Sequence, residues 1–182
     1  MKKEIFLILF MFTLLCGNAA AGEKSRLEVY GDYAHIAIPL SAGIYSAVIG
    51  DWHGELQLAK SCAATLVTTG GLKYAVGAER PSGGEYSFPS GHTSLAFTGA
   101  AYWQMRYGWA LGVPMYAAAT LVGYSRVDAE AHYWRDVIAG AAIGIGFNYL
   151  FTSRYGNDDK SKQRMSLIPT HKGVNFNFSM QF

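Results

Sequence analysis

Pro89-Ser90-Gly91-His92-Thr93-Ser94-Leu95-Ala96-Phe97-Thr98-Gly99-Ala100-Ala101-Tyr102-Trp103-Gln104-Met105 runs as far as Arg106 without a single Asp, Glu, Lys or Arg. Ser90 is a residue type that caps helix starts. The uncharged run behind it, made of small and aromatic side chains, predicts a buried helix over 91–105. Outward from it the pattern repeats. Residues 33–50 are uncharged and close on Asp51-Trp52-His53-Gly54-Glu55, 56–72 carry only Lys60, and 109–124 and 137–152 are again uncharged. Pro114, inside the fourth segment, should kink it or cost it an internal hydrogen bond. Short polar or Gly/Pro-containing stretches separate the segments, with no internal repeat or low-complexity linker. The reading is an all-α bundle of five helices, or six if the N-terminal segment is retained.

The composition fits close-packed helices and excludes several functions. Half of the 182 residues are hydrophobic and 15% are charged, against roughly a quarter charged in an average soluble domain. Disorder requires the opposite balance. A net charge of +2 with no Lys/Arg-rich run gives no nucleic-acid footprint. Cys16 and Cys62 alone make neither a disulfide framework nor a cysteine zinc site. What remains is a helical hydrolase, a small membrane protein, or both.

Lys2 and Lys3, an apolar core over 5–15 and the small residues Ala19-Ala20-Ala21 have the three-part layout of a secretory signal peptide. The alternatives are an uncleaved first membrane helix, or a lipoprotein signal on Cys16, which the bulky Leu15 disfavours. The segment at 33–50, with 18 residues, would reach about 27 Å as a helix, against roughly 30 Å of bilayer hydrocarbon. That length is marginal, so a membrane-embedded bundle and a soluble periplasmic one both stand, the former preferred. Residues 157–164 read as a solvated connection. Residues 174–182 alternate, with Val174, Phe176, Phe178, Met180 and Phe182 apolar and polar residues between them. That is one strand with one apolar face, packed on the bundle or on a partner.

Three clusters carry chemistry, each at the end of a predicted helix: Lys73 with Arg80-Pro81, then Pro89-Ser90-Gly91-His92, then Ser125-Arg126 with His132 and Asp136. Following the helices up and down places all three at one end of the bundle. Lys73, Arg80 and Arg126 supply positive charge, and arginine binds phosphate oxygens in bidentate fashion. The helix start at Ser90-Gly91 offers backbone N–H groups to an anion. His132 and Asp136, four apart, share a helical face. A carboxylate there can hold one imidazole nitrogen and leave the other as a nucleophile. His92, with an ordinary pKa near 6.5, is free to act as general acid.

The three clusters, complete and in order, resemble the signature motifs of the type 2 phosphatidic acid phosphatase family, which also includes bacterial non-specific acid phosphatases and vanadium haloperoxidases. The resemblance covers roughly residues 56–145. It implies that His132 attacks phosphorus to give a phosphohistidine and that His92 protonates the leaving oxygen. It further implies that Lys73, Arg80, Ser90, Gly91 and Arg126 hold the phosphate and Asp136 orients His132, with neither metal nor cofactor. The chain then divides into a signal peptide or first membrane helix (1–21), a helical phosphatase domain (22–152), and a polar connection with an alternating tail (153–182).

The substrate class expected is a phosphorylated membrane lipid or another phosphoester, hydrolysed on the periplasmic side of a bacterial inner membrane. The competing readings are a soluble or outer-membrane-associated phosphatase of the periplasm, a vanadate-dependent haloperoxidase, and an idle envelope scaffold. Arg106, Arg154, Lys160, Lys162 and Arg164 would then lie on the cytoplasmic side, in keeping with the positive-inside tendency. Tyr86, Phe88, Tyr133 and Trp134 are candidates for a lipid entrance or for packing. His35, His53 and His171 belong to no motif and read as structural or surface residues.

Overall fold

The computed structural model describes residues 24–156, 164–170 and 173–179. The expected all-α bundle is there: α1 (Arg26–Val48), α2 (Trp52–Val76), α3 (Gly91–Tyr102), α4 (Trp109–Asp128) and α5 (Trp134–Phe151), with a π-helical turn, Trp103–Tyr107, continuing α3. The helices outrun their uncharged centres because charged turns belong to them too. Ser25 caps α1 by accepting from the Glu28 N–H, which adds two charged turns, with Glu28 and Asp32, ahead of residue 33. Asp51 caps α2 through the Gly54 N–H. Gly77, left-handed at φ +58°, ends α2 by donating to the Lys73 carbonyl, a conformation that glycine adopts without a Cβ penalty. α4 passes through Pro114 unbroken. The signal-peptide reading of 1–21 and the connection at 157–163 lie outside the described residues.

α3 is the hub, and small residues let its neighbours come close. Ala96 and Ala100 pack with Ala34, Ile38 and Ala42 of α1 and with Ala119 and Val122 of α4, beneath Tyr102 and Trp103. A Cβ on Gly99 would lie 2.5 Å from the Pro39 nitrogen, and one on Gly140 would lie 2.6 Å from the Ser90 carbonyl. Gly144 stands equally close to the backbone of Ser94 and Thr98. α3 therefore meets α1 and α5 at backbone distance.

The end of α3 remote from His92 is closed by a buried ion pair. Arg106 donates through Nε and NH2 to the Asp51 carboxylate at 2.7 and 2.5 Å, and the Tyr107 hydroxyl donates to the same carboxylate at 2.8 Å. Arg106 also donates to the Ser153 carbonyl and lies over the Tyr155 ring, which ties the chain after α5 to the bundle. Arg106, read from the sequence only as lying at the end of its helix on the cytoplasmic side, is fully buried, and the π turn holds it against Asp51.

Many large apolar side chains face outward, including Tyr33, Ile36, Leu40, Ile44 and Val48 along one side of α1 and Trp109, Val113 and Leu121 on α4. Among the described residues, no helix is long and apolar enough to cross a membrane. The tail is a hairpin, not the single strand expected. β1 (Arg164–Thr170) pairs antiparallel with β2 (Gly173–Ser179), Leu167 opposite Phe176 and Met165 opposite Phe178. A lone strand leaves a row of backbone groups unpaired, and the segment before it supplies the partner. The alternation at Met180 and Phe182 falls outside the described residues.

Candidate active site

Four pieces of backbone bring the three clusters to one end of the bundle. Lys73 sits in the last turn of α2 and donates to the Tyr86 carbonyl at 2.7 Å. Its Cε is the nearest atom to where a Gly91 side chain would start. Arg80 holds the loop before α3 in shape, donating through Nε to the Glu85 carbonyl, while its own N–H donates to Gly84. Ser90 caps α3 through the Thr93 N–H. The N–H groups of Gly91 and His92, in the first turn, have no acceptor within the helix. The Ser90 N–H donates to the Asp136 carbonyl at 3.0 Å, so the second and third clusters are joined through backbone.

At the end of α4 the Ala131 and His132 N–H groups both donate to the Arg126 carbonyl. Glu130, left-handed at φ 51°, turns the chain so that His132 points back into the site. Its carbonyl accepts from Ser82, fastening this turn to the Arg80 loop. His132 is 3% exposed and Asp136 is fully buried.

Between His132 and Asp136 stands a residue that the sequence reading passed over. The Ser87 hydroxyl donates to Asp136 Oδ2 at 2.5 Å and lies 3.4 Å from His132 Nδ1, which is itself 3.7 Å from Oδ2. With its proton committed to Asp136, the Ser87 oxygen is an acceptor for an Nδ1–H. That assigns the tautomer whose lone pair is on Nε2. Asp136 Oδ2 also accepts the Tyr133 N–H at the start of α5. Ser87 gives no signal by itself in a Ser/Gly/Pro loop; a serine two residues ahead of Pro89 is unremarkable until the fold closes.

Burial, then the charges of Lys73 and Arg80, push His132 down to about 4, against the pull of Asp136. His132 is therefore neutral at physiological pH, the state a nucleophile needs. Lys73 is held below its ordinary value by burial and then by the charge of Arg80. The expectation of an ordinary pKa for His92 is corrected. Burial, then the neighbouring His35 and Arg126, lower it to about 4, so its imidazole takes up a proton only when an anion beside it favours the charged form.

The first helix also enters the site. Asp32 Oδ1 accepts from Arg126 NH1 at 2.6 Å and lies 3.6 Å from His92 Nε2, while Lys24 donates to Oδ2 at 2.8 Å. The Glu28 carbonyl takes Arg126 NH2 at 2.6 Å. The His35 ring lies 4.0 Å from that of His92, centroid to centroid; read from sequence as structural or surface, His35 borders the site. Arg126 is therefore a buried guanidinium anchored to α1, and Lys73 and Arg80 are the more open cations.

The profile of the PAP2 superfamily matches residues 54–160. A lipid A 4'-phosphatase of Helicobacter pylori strain J99 is 35% identical over 169 residues, covering 84% of this chain and 83% of its own. A probable lipid phosphate phosphatase 4 of Arabidopsis thaliana is 32% identical over 59% of this chain and half of its own. Among solved structures, Aquifex aeolicus LpxE superposes with a TM-score of 0.59 at 24% identity, over 78% of this chain and 92% of that one. With the profile spanning more than half its length and a relative 35% identical over most of both chains, the chain belongs to the PAP2 superfamily.

Proposed function

We propose that the protein is a phosphatase that hydrolyses a phosphate ester or anhydride of a membrane lipid, on the periplasmic side, through a phosphohistidine on His132. The observation that carries this reading is a buried, neutral His132 held by Ser87 and Asp136 next to Lys73 and Arg80. Nε2 of His132 attacks phosphorus, and the bond from phosphorus to the leaving oxygen breaks. His92 donates a proton to that oxygen. Water then attacks the phosphohistidine, His92 takes the water proton, and phosphate leaves as Nε2 is released. Lys73, Arg80 and Arg126, with the Ser90-Gly91 backbone, neutralise the equatorial oxygens, so the charge balance needs no metal.

The lipid substrate is supported from two sides. Relatives carry names such as lipid A 4'-phosphatase and lipid phosphate phosphatase. The apolar side chains exposed around the bundle and the aromatic Tyr86, Tyr133 and Trp134, all exposed around the site, suit a membrane-bound enzyme that takes its substrate from a lipid surface. A phosphorylated glycolipid of the lipid A type is the leading candidate. The test is rapid quenching with radiolabelled lipid phosphate in mixed micelles. Label should be trapped on His132 and vanish in His132→Ala together with turnover. Label on another residue, or turnover in the variant, would overturn the assignment.

A further inference from the structure

Residues 28, 31, 32 and 35 lie on one face of α1 at helical spacing, ahead of the part of the chain that the family profile covers. Each meets Arg126 or His92. Glu28 offers its carbonyl to Arg126 and Asp32 its carboxylate, and His35 lies against His92. At position 31 a Cβ would collide with the Ser125 hydroxyl and lie 2.5 Å from Arg126 NH2, so a glycine there makes room for the guanidinium. This face of α1 is shaped around the site.

We propose that Asp32 is a positioning residue of the reaction: its carboxylate gathers Arg126 and His92 on one oxygen and makes His92 a competent proton donor to the leaving group. This rests on His92 being the acid. The electrostatics around the imidazole give the carboxylate its importance. From α1, Asp32 favours the protonated ring while His35 opposes it; Arg126 from α4 and His132 from the loop before α5 also oppose it. α2 brings Lys73 up to Gly91, and α5 brings Asp136 to Ser90, one and two residues from His92. Lys24, which is exposed, shares the Asp32 carboxylate and so weakens its hold. Loss of Asp32 would remove an anion from His92 Nε2 and leave Arg126 beside it with less compensation. Both changes disfavour the imidazolium.

The experiment compares kcat/KM against pH for the wild-type chain, Asp32→Asn, Asp32→Glu and Lys24→Ala. The substrates are phosphatidate in mixed micelles (a poor leaving group) and p-nitrophenyl phosphate (a good one), with vanadate inhibition measured on each protein. An opposite charge within 4–6 Å moves a pKa by about 1–3 units, and a partly exposed pair sits at the lower end. In Asp32→Asn the alkaline limb on phosphatidate should therefore fall by about one pH unit, with a smaller loss on the aryl ester. Asp32→Glu should restore part of it. Lys24→Ala should move the limb upward.

An unmoved limb in Asp32→Asn, with equal rate losses on both substrates and weaker vanadate inhibition, would mean that Asp32 only anchors Arg126. If Asp32→Asn does not fold, Lys24→Ala decides, and a limb that does not rise overturns the proposal. His92→Ala separates the two levels. Equal losses on the two substrates in that variant remove the acid itself, whereas a selective loss there with an unmoved limb in Asp32→Asn removes only the role of Asp32.

Discussion

Replacement of Asp51 by Ala should destabilise the bundle severely while leaving phosphate binding intact. The side chains of Arg106 and Asp51 are 0% and 3% exposed, so the variant strands a guanidinium in a space with little water. Arg106 would keep the Ser153 carbonyl and the Tyr155 ring but lose both charged acceptors, and α2 would lose its cap. Breaking one side of a buried pair costs about 3–5 kcal/mol, a large share of a total stability of about 5–15 kcal/mol. At about 2–4 °C per kcal/mol for a domain of this size, the melting temperature should fall by roughly 6–20 °C. Far-UV circular dichroism on the purified full chain reads this directly. Asp51→Leu combined with Arg106→Met should recover much of the loss, since a buried ion pair is often matched by apolar packing. Arg106 lies fourteen residues beyond His92 on a continuous helical path, roughly 20 Å by the rise of the helix. Vanadate inhibition well below the transition should therefore be unchanged. A melting temperature within about 2 °C of wild type, about a third of the smallest expected fall, or a double variant no more stable than the single, would refute the reasoning.

Acid should destabilise the protein through His132. Its folded pKa of about 4 lies below the ordinary imidazole value of 6.5, so the unfolded chain binds the proton first. The contribution is complete above pH 6.5 and is lost as pH falls toward 4, with a magnitude on the order of 3 kcal/mol. Urea unfolding across this range should be flatter for His132→Gln than for wild type. Gly140→Ala should cost about 1–3 kcal/mol from overpacking and about a hundredfold in rate through displacement of Ser90. Gly146→Ala, where a Cβ meets nothing within 4 Å, is the control and should keep full activity. Ser87→Ala should slow turnover by about 10–100-fold, the worth of a charge-assisted hydrogen bond, with vanadate inhibition retained; a variant that loses vanadate binding as well would place Ser87 in the anion pocket.

The bundle was legible because its helices have uncharged centres, and the site because Lys73, Arg80, Ser90, His92, Arg126, His132 and Asp136 follow one another at helix ends. Counting segments was enough to bring them together. Asp32 and His35 were not legible: Asp32 meets Arg126 across 94 positions of sequence, and no local pattern reports that contact. The charged first turns of α1 also fell outside a search for uncharged runs, although they face the site. The burial of Arg106 was not legible for a related reason. A charge after an apolar run gives no sign of the π turn that seats it against Asp51. The hairpin escaped notice because β1 lacks the error-free alternation of the segment that pairs with it.

The contact at Gly140 and Gly144 has an implication for how such an enzyme changes its habits. With no layer of side chains between α3 and α5, the parts that handle phosphorus behave as one solid body, and a substitution in either helix disturbs both. α1 approaches the same site through longer reaches: a carboxylate, an imidazole ring and a carbonyl. On the proposed mechanism the apparatus thus has a fixed half, which governs the chemistry at phosphorus, and an exchangeable half, which touches His92 and the anchored Arg126. Changes along 28–35 are where a new alcohol could be accommodated as leaving group while the machinery assigned to the proposed phosphohistidine is left alone.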